Sequence, residues 1–188
     1  MNKPAARISA LSLSLMLLAG CATTSLTSAP ESPAQSQALA LIEQGKPRDA
    51  ALQLEALAAT LRGGARSNAL ADAAWAWNLA GDSARARSLL GQLTARQLTG
   101  ASLQRYQLTG AELALADKQP AQALALLKDH ADSVAVGLRT RWLLARAQAL
   151  QGTGDAVGAA NERARAHASL TRGPRSENQA AIPGPGPY

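Results

Sequence analysis

The chain has 188 residues, with 19 Lys and Arg against 13 Asp and Glu, a single Cys, no Phe and only 3% aromatic residues. One cysteine excludes an intrachain disulfide, and scattered basic residues with no stacking aromatic set argue against a nucleic-acid surface. Ala and Leu dominate, so a core must come from close helix contact, and an all-α fold is expected.

In chain order, Lys3 and Arg7 precede an apolar run from Ile8 to Leu18, with small residues before Cys21. That is the layout of a secretory signal over residues 1–20, and the run is short for a bilayer span. Leu18-Ala19-Gly20-Cys21 resembles a lipobox. The resemblance implies cleavage before Cys21, a diacylglyceryl thioether on its sulfur, and anchoring through more than one acyl chain. Ala22, where an Asp would favour retention at the inner membrane, implies sorting to the periplasmic face of the outer membrane. Removing the signal leaves 17 basic residues against 13 acidic ones. Residues 21–33, polar and carrying two prolines after the lipidated Cys, are expected to form a flexible tether reaching at most roughly 40 Å.

Residues 34–170 read as a helical domain of about four antiparallel pairs. The first runs from Ser32 to Gln44 and from Pro47 to Leu61, with Pro47 in a first turn where its missing N–H costs nothing. Arg62-Gly63-Gly64-Ala65 is expected to end it. The second runs from Asn68 to Ala80 and from Asp82 to Leu93, the third from Ser102 to Ala116 and from Pro120 to Asp129, the fourth from Ser133 to Gln151 and from Asp155 to Leu170. From residue 171 to 188 the chain is expected to be irregular, because alternating Pro and Gly cannot hold a helix.

The pairs repeat. Small residues fall at Ala38, Ala74, Gly110 and Ala147, large ones at Leu41, Trp77, Leu113 and Leu150, and turn residues at Gly45, Gly81, Asp117 and Gly154, in steps of 36, 36 and 37. In the second helices Ala50, Ala86, Ala123 and Ala159 recur, followed by Leu54, Leu90 and Leu127, with Arg163 in the fourth. A small residue with a large one three positions on, followed by an Ala in the second helix, resembles the tetratricopeptide pattern. It implies a right-handed α-α superhelix in which small positions admit close helix approach and large ones fill the gaps. The atypical fourth pair is either a cap or a face awaiting a partner.

In that register the first helix of each pair turns one face to a concave groove. Counting from Glu31, Ser67, Leu103 and Thr140, the groove residues are Asn68, Trp75, Asn78, Gln104, Gln107, Arg141, Gln148 and Gln151. Trp75 and Trp77, two apart, point roughly 200° from one another. Trp77 and Trp142 are therefore expected in the packing and Trp75 in the groove. The Arg85/Arg87, Arg139/Arg141 and Arg163/Arg165 pairs are expected on solvated faces. His130 and His167 have no ligand-type neighbour at metal spacing, no phosphate loop is visible, and no nucleophile sits in an elbow. Neither enzyme activity, cofactor, metal nor small-molecule substrate is expected.

With a lipobox, a tether and these pairs in view, the chain resembles the N-terminal part of the outer-membrane lipoprotein activators of penicillin-binding proteins, the LppC/LpoA family. The likeness is clearest from Arg105-Tyr106 through GAELALADKQPAQALALL to Leu127 and in Gly173 to Ile182, and it extends loosely over residues 38–182. It implies a non-enzymatic regulator of peptidoglycan synthesis, a binding or spacing module for a class A penicillin-binding protein. The family's larger periplasmic-binding-protein-like domain has no counterpart here, so the chain reads as a longer protein cut short or read out of frame. The alternative is a repeat-type lipoprotein scaffold for outer-membrane or secretion-machine assembly.

Overall fold

The computed structural model describes residues 32–171; Cys21 and its lipobox, the tether before Ser32 and the tail after Thr171 lie outside them. The described residues form eight α-helices and two short 3-10 turns, with no strand among them. The helices are α1 (Pro33–Glu43), α2 (Pro47–Thr60), α3 (Gly63–Leu79), α4 (Ser83–Leu90), α5 (Gly100–Ala116), α6 (Pro120–Leu126), α7 (Val136–Gly152) and α8 (Ala156–Thr171). The 3-10 turns cover Ala95–Gln97 and Ala131–Ser133.

The starts have local causes. Pro33, Pro47 and Pro120 each open a helix, where the absent N–H has no partner to lose. The Ser32 hydroxyl accepts from the Gln35 N–H at 3.2 Å, and the Asp82 carboxylate accepts from the Arg85 N–H at 2.9 Å. Pro33 is thus helical rather than the end of a tether, and Thr171 closes α8 rather than opening the tail. A larger departure is α3, which starts at Gly63 and not at Asn68. Gly63 adopts φ 57°, so the glycine pair expected to break the chain swings it directly into a new helix.

All four odd-numbered helices end in the same Schellman motif, and the motif fixes the repeat register. Lys46, Asp82, Gln119 and Asp155 donate their N–H groups to the carbonyls of Leu41, Trp77, Ala114 and Leu150 at 2.9–3.0 Å. The left-handed residues between are Gly45, Gly81, Lys118 and Gly154. The steps are therefore 36, 37 and 36 residues, matching Ala50, Ala86, Ala123 and Ala159 in the second helices. This corrects the third repeat by one position. Its packing residues are Ala111 and Ala114, and Lys118 takes the turn in place of Asp117, which keeps φ −84°. A lysine in the left-handed region carries a steric cost of about 1 kcal/mol that glycine escapes. Lys118→Gly is expected to stabilise the protein by about 0.5–1 kcal/mol in urea titration, and Gly81→Ala, with open space around its added Cβ, to destabilise it by about 1 kcal/mol through backbone strain alone.

The odd helices α1, α3, α5 and α7 adjoin in sequence, and each of α2, α4 and α6 bridges to the odd helix that follows. Alanine makes the close approach possible: Ala50, Ala69, Ala73, Ala74, Ala86, Ala111, Ala123 and Ala159 are wholly buried. Leu54 and Trp77 anchor a core among α1–α4, and Leu108, Leu127 and Trp142 anchor one among α5–α8, with Trp75 packing against both. Trp77 donates its indole N–H to Glu55 while the Arg85 guanidinium lies 4.3 Å from its ring centroid. Where the earlier repeats place Leu54, Leu90 and Leu127, α8 has exposed Arg163 bonded to Gln151.

The paired arginines are not free basic faces. Arg87 forks onto Asp117 at 2.7 and 2.8 Å, Arg85 meets Glu55 at 3.0 Å, and Arg139 donates to the carbonyls of Ala131, Asp132 and Val134. Arg165 reaches Glu162 at 3.2 Å within α8 and Asp132 of the second 3-10 turn at 3.6 Å. Each ties one helix or turn to another.

Candidate binding cleft

The surface of the odd-helix row carries two clefts. The larger, about 530 Å³, lies where α1 and α3 meet the start of α7; Leu39, Ile42, Trp75, Leu79 and Leu138 supply its apolar wall, and Arg105, Arg141 and Glu43 its charges. The smaller, about 290 Å³, lies between α5 and α7 and is lined by Glu112, Leu115, Arg141, Leu144 and Gln148. Arg141 belongs to both.

Arg105 is positioned from below by a buried carboxylate. Asp72, in the middle of α3, is fully buried; its Oδ2 lies 3.1 Å from the Arg105 guanidinium and accepts from the Gln35 amide at 2.6 Å. Gln35 in α1, Asp72 in α3, and Ser102 and Arg105 in α5 thus form one polar cluster joining three odd helices. Burial pushes the Asp72 carboxyl above its usual 3.8, because an ion loses its hydration there. Arg105, Gln35 and Ser102 oppose the rise. The Arg105 guanidinium also lies 5.4 Å from the centroid of Trp75, so the carboxylate sets an arginine against an indole at the cleft wall.

Arg141 is held differently. Its Nε and Nη2 pair side-on with the two oxygens of Glu112, the latter at 3.1 Å, and Asn78 donates to the same carboxylate at 2.6 Å. The chain Asn78–Glu112–Arg141 therefore crosses α3, α5 and α7.

Of the residues expected in a groove, Trp75 and Arg141 share the larger cleft, Arg141 and Gln148 share the smaller, and Asn78 reaches its edge through Glu112. The other four are engaged elsewhere. Asn68 makes two bonds to Thr99, at 3.0 and 3.1 Å, and Gln104 clamps the start of α7 through the Ser133 carbonyl and the Ala135 N–H at 3.0 and 2.9 Å. Gln107 donates to Asp129 at 3.2 Å, and Gln151 accepts from Arg163. Two causes account for the first three. Since α3 begins at Gly63, Asn68 falls in its second turn beside the cap of α5 rather than in a first turn. In α5 the register is displaced by one, so the cleft positions are Arg105, Glu112 and Leu115 in place of Gln104 and Gln107. The longer step between Ala86 and Ala123, 37 residues against 36 on either side, was the available signal for them.

Among the described residues no group of three or more His, Cys, Asp or Glu is placed to hold a metal ion, and no helix is long and apolar enough to cross a membrane. No protein family, curated protein or solved structure matches the chain.

Proposed function

We propose that this chain is a non-enzymatic binding and spacing module of an outer-membrane lipoprotein anchored through Cys21. In this reading its four helix pairs wind as a right-handed tetratricopeptide-like superhelix, and its partner is a class A penicillin-binding protein in peptidoglycan synthesis. The observation that carries the binding role is the pair of clefts sharing Arg141 on the row α1–α3–α5–α7, an apolar wall with fixed charged groups. The contact order of the helices, each even helix bridging to the next odd one, supports the winding. Membrane and partner rest on the lipobox-like Leu18–Cys21 segment and on the family resemblance.

The test is capture by the full-length lipidated protein of solubilised class A synthases set against outer-membrane assembly components. Retention of a synthase, lost on Trp75→Ala, is the expected result. Retention of assembly components alone would favour a scaffold role. Release of soluble fragments from purified peptidoglycan would overturn the non-enzymatic reading.

A further inference from the structure

We infer that the two clefts together take an extended peptide with an acidic side chain flanked, two residues to either side, by large apolar side chains. The inference rests on the binding-module reading and names the ligand class of that site.

The geometry supplies the pattern. Apolar walls lie on both sides of Arg141: Trp75, Leu39 and Leu138 on one, Leu115 and half-exposed Leu144 on the other. From Leu138 to Ala145 along α7 is about 10 Å at 1.5 Å per residue. An extended chain advances about 3.3 Å per residue and turns alternate side chains to one face, so residues i, i+2 and i+4 would span about 13 Å on the face turned to the protein. Two apolar side chains at the ends would enter the two clefts, and the middle one would meet Arg141.

The chemistry of the middle position follows from how Arg141 is held. A guanidinium has five N–H donors. Glu112 takes the edge formed by Nε and Nη2, and Nη1 makes no hydrogen bond among the described residues. The Arg141 side chain is 44% exposed whereas Glu112 is only 16% exposed, so the cation and not its counter-ion is the group a ligand meets. Arg105, on the wall of the larger cleft, is by contrast held to Asp72 and only 12% exposed. A carboxylate matches the open edge of Arg141, and charge-assisted hydrogen bonds to arginine give orientation as well as affinity. Glu43, at the larger cleft, disfavours a second acidic residue at the end seated there.

The test uses the full chain in detergent micelles and a fluorescein-labelled peptide, Gly-Leu-Ser-Asp-Ser-Leu-Gly, against its analogue with Asn for Asp, read by anisotropy. The acidic peptide is expected to bind about tenfold more tightly than the neutral one, the scale of one charge-assisted contact. Arg141→Gln is expected to weaken the acidic peptide about tenfold and the neutral one far less, bringing the two to similar affinity. Glu112→Gln, which keeps an acceptor for Asn78 but releases the guanidinium from its internal pairing, is expected to tighten the acidic peptide severalfold. Equal binding of the two peptides, equal weakening of both by Arg141→Gln, or no binding of either would overturn the inference. Synthase capture, run in parallel, separates the two levels. Peptide failure with capture intact removes the ligand class alone, and selective peptide binding without capture removes the partner alone.

Discussion

Arg105→Met is expected to destabilise the protein by about 3 kcal/mol at neutral pH, far more than removal of any exposed arginine. The reason is the company it leaves behind. Asp72 is fully buried, and with Arg105 gone its carboxylate keeps only the Gln35 and Ser102 hydrogen bonds against loss of hydration. Breaking one side of a buried pair costs more than the pair contributes, since the surviving charge has nowhere to go. The double variant Asp72→Asn/Arg105→Met is accordingly expected to recover most of the loss, a coupling that a double-mutant cycle in urea would measure. Equal and additive losses would contradict it.

The same pair gives a pH dependence of definite sign. Burial raises the Asp72 pKa in the folded state, so the native protein holds the proton more firmly than the unfolded chain does. The stabilising contribution of the protonated group is complete below the unfolded value of 3.8 and is lost as pH rises through the raised folded value. Asp72→Asn, which mimics the protonated form, is therefore expected to match the wild type in acid and to gain on it as pH rises. Arg105→Met, which removes the principal opposing influence, should lose most at the upper end of that range. Stability curves of the three proteins from about pH 4 to pH 8 would show it, the wild type lying between the two variants at the high end.

Much of the fold was legible because its punctuation is chemical. Pro47 and Pro120 can stand only at helix starts, Gly45, Gly81 and Gly154 only at left-handed ends, and the Ala rows mark where helices touch. What escaped notice has equally physical causes. Gly110, Leu113 and Asp117 imitate a repeat at the expected spacing, while the true turn residue, Lys118, is of a type that seldom adopts positive φ. Gly63-Gly64 carries the composition of a break but initiates a helix, because one left-handed residue suffices to redirect the chain. Asp72 and Arg105 lie 33 residues apart on different helices, and nothing local ties a carboxylate in an alanine run to a particular arginine. The cleft was read in part for the same reason. Trp75 and Arg141 lie in repeats whose register was correct, and Arg105 and Glu112 lie in the one that was displaced.

That displacement can be decided by two neighbouring substitutions with opposite expected outcomes. Ala111 is wholly buried where α5 meets its neighbours, in the position held by equally buried Ala74 one repeat earlier. Ala111→Leu inserts three carbons into a packed contact between helices and is expected to cost about 2–3 kcal/mol, since a filled core answers added volume with strained rotamers or helix displacement. Gly110, one residue before, is partly exposed, and an added Cβ there meets only the Leu126 Cδ1 at 3.2 Å, the end of a side chain able to give way. Gly110→Ala also gains the helix propensity that glycine lacks, about 1 kcal/mol. It is expected to be neutral or stabilising. Were Gly110 the packed small residue, as a strict 36-residue step would require, the order would reverse: Gly110→Ala would be costly and Ala111→Leu mild. Thermal unfolding of the two variants side by side distinguishes the registers, and with them which residues of α5 belong to the clefts.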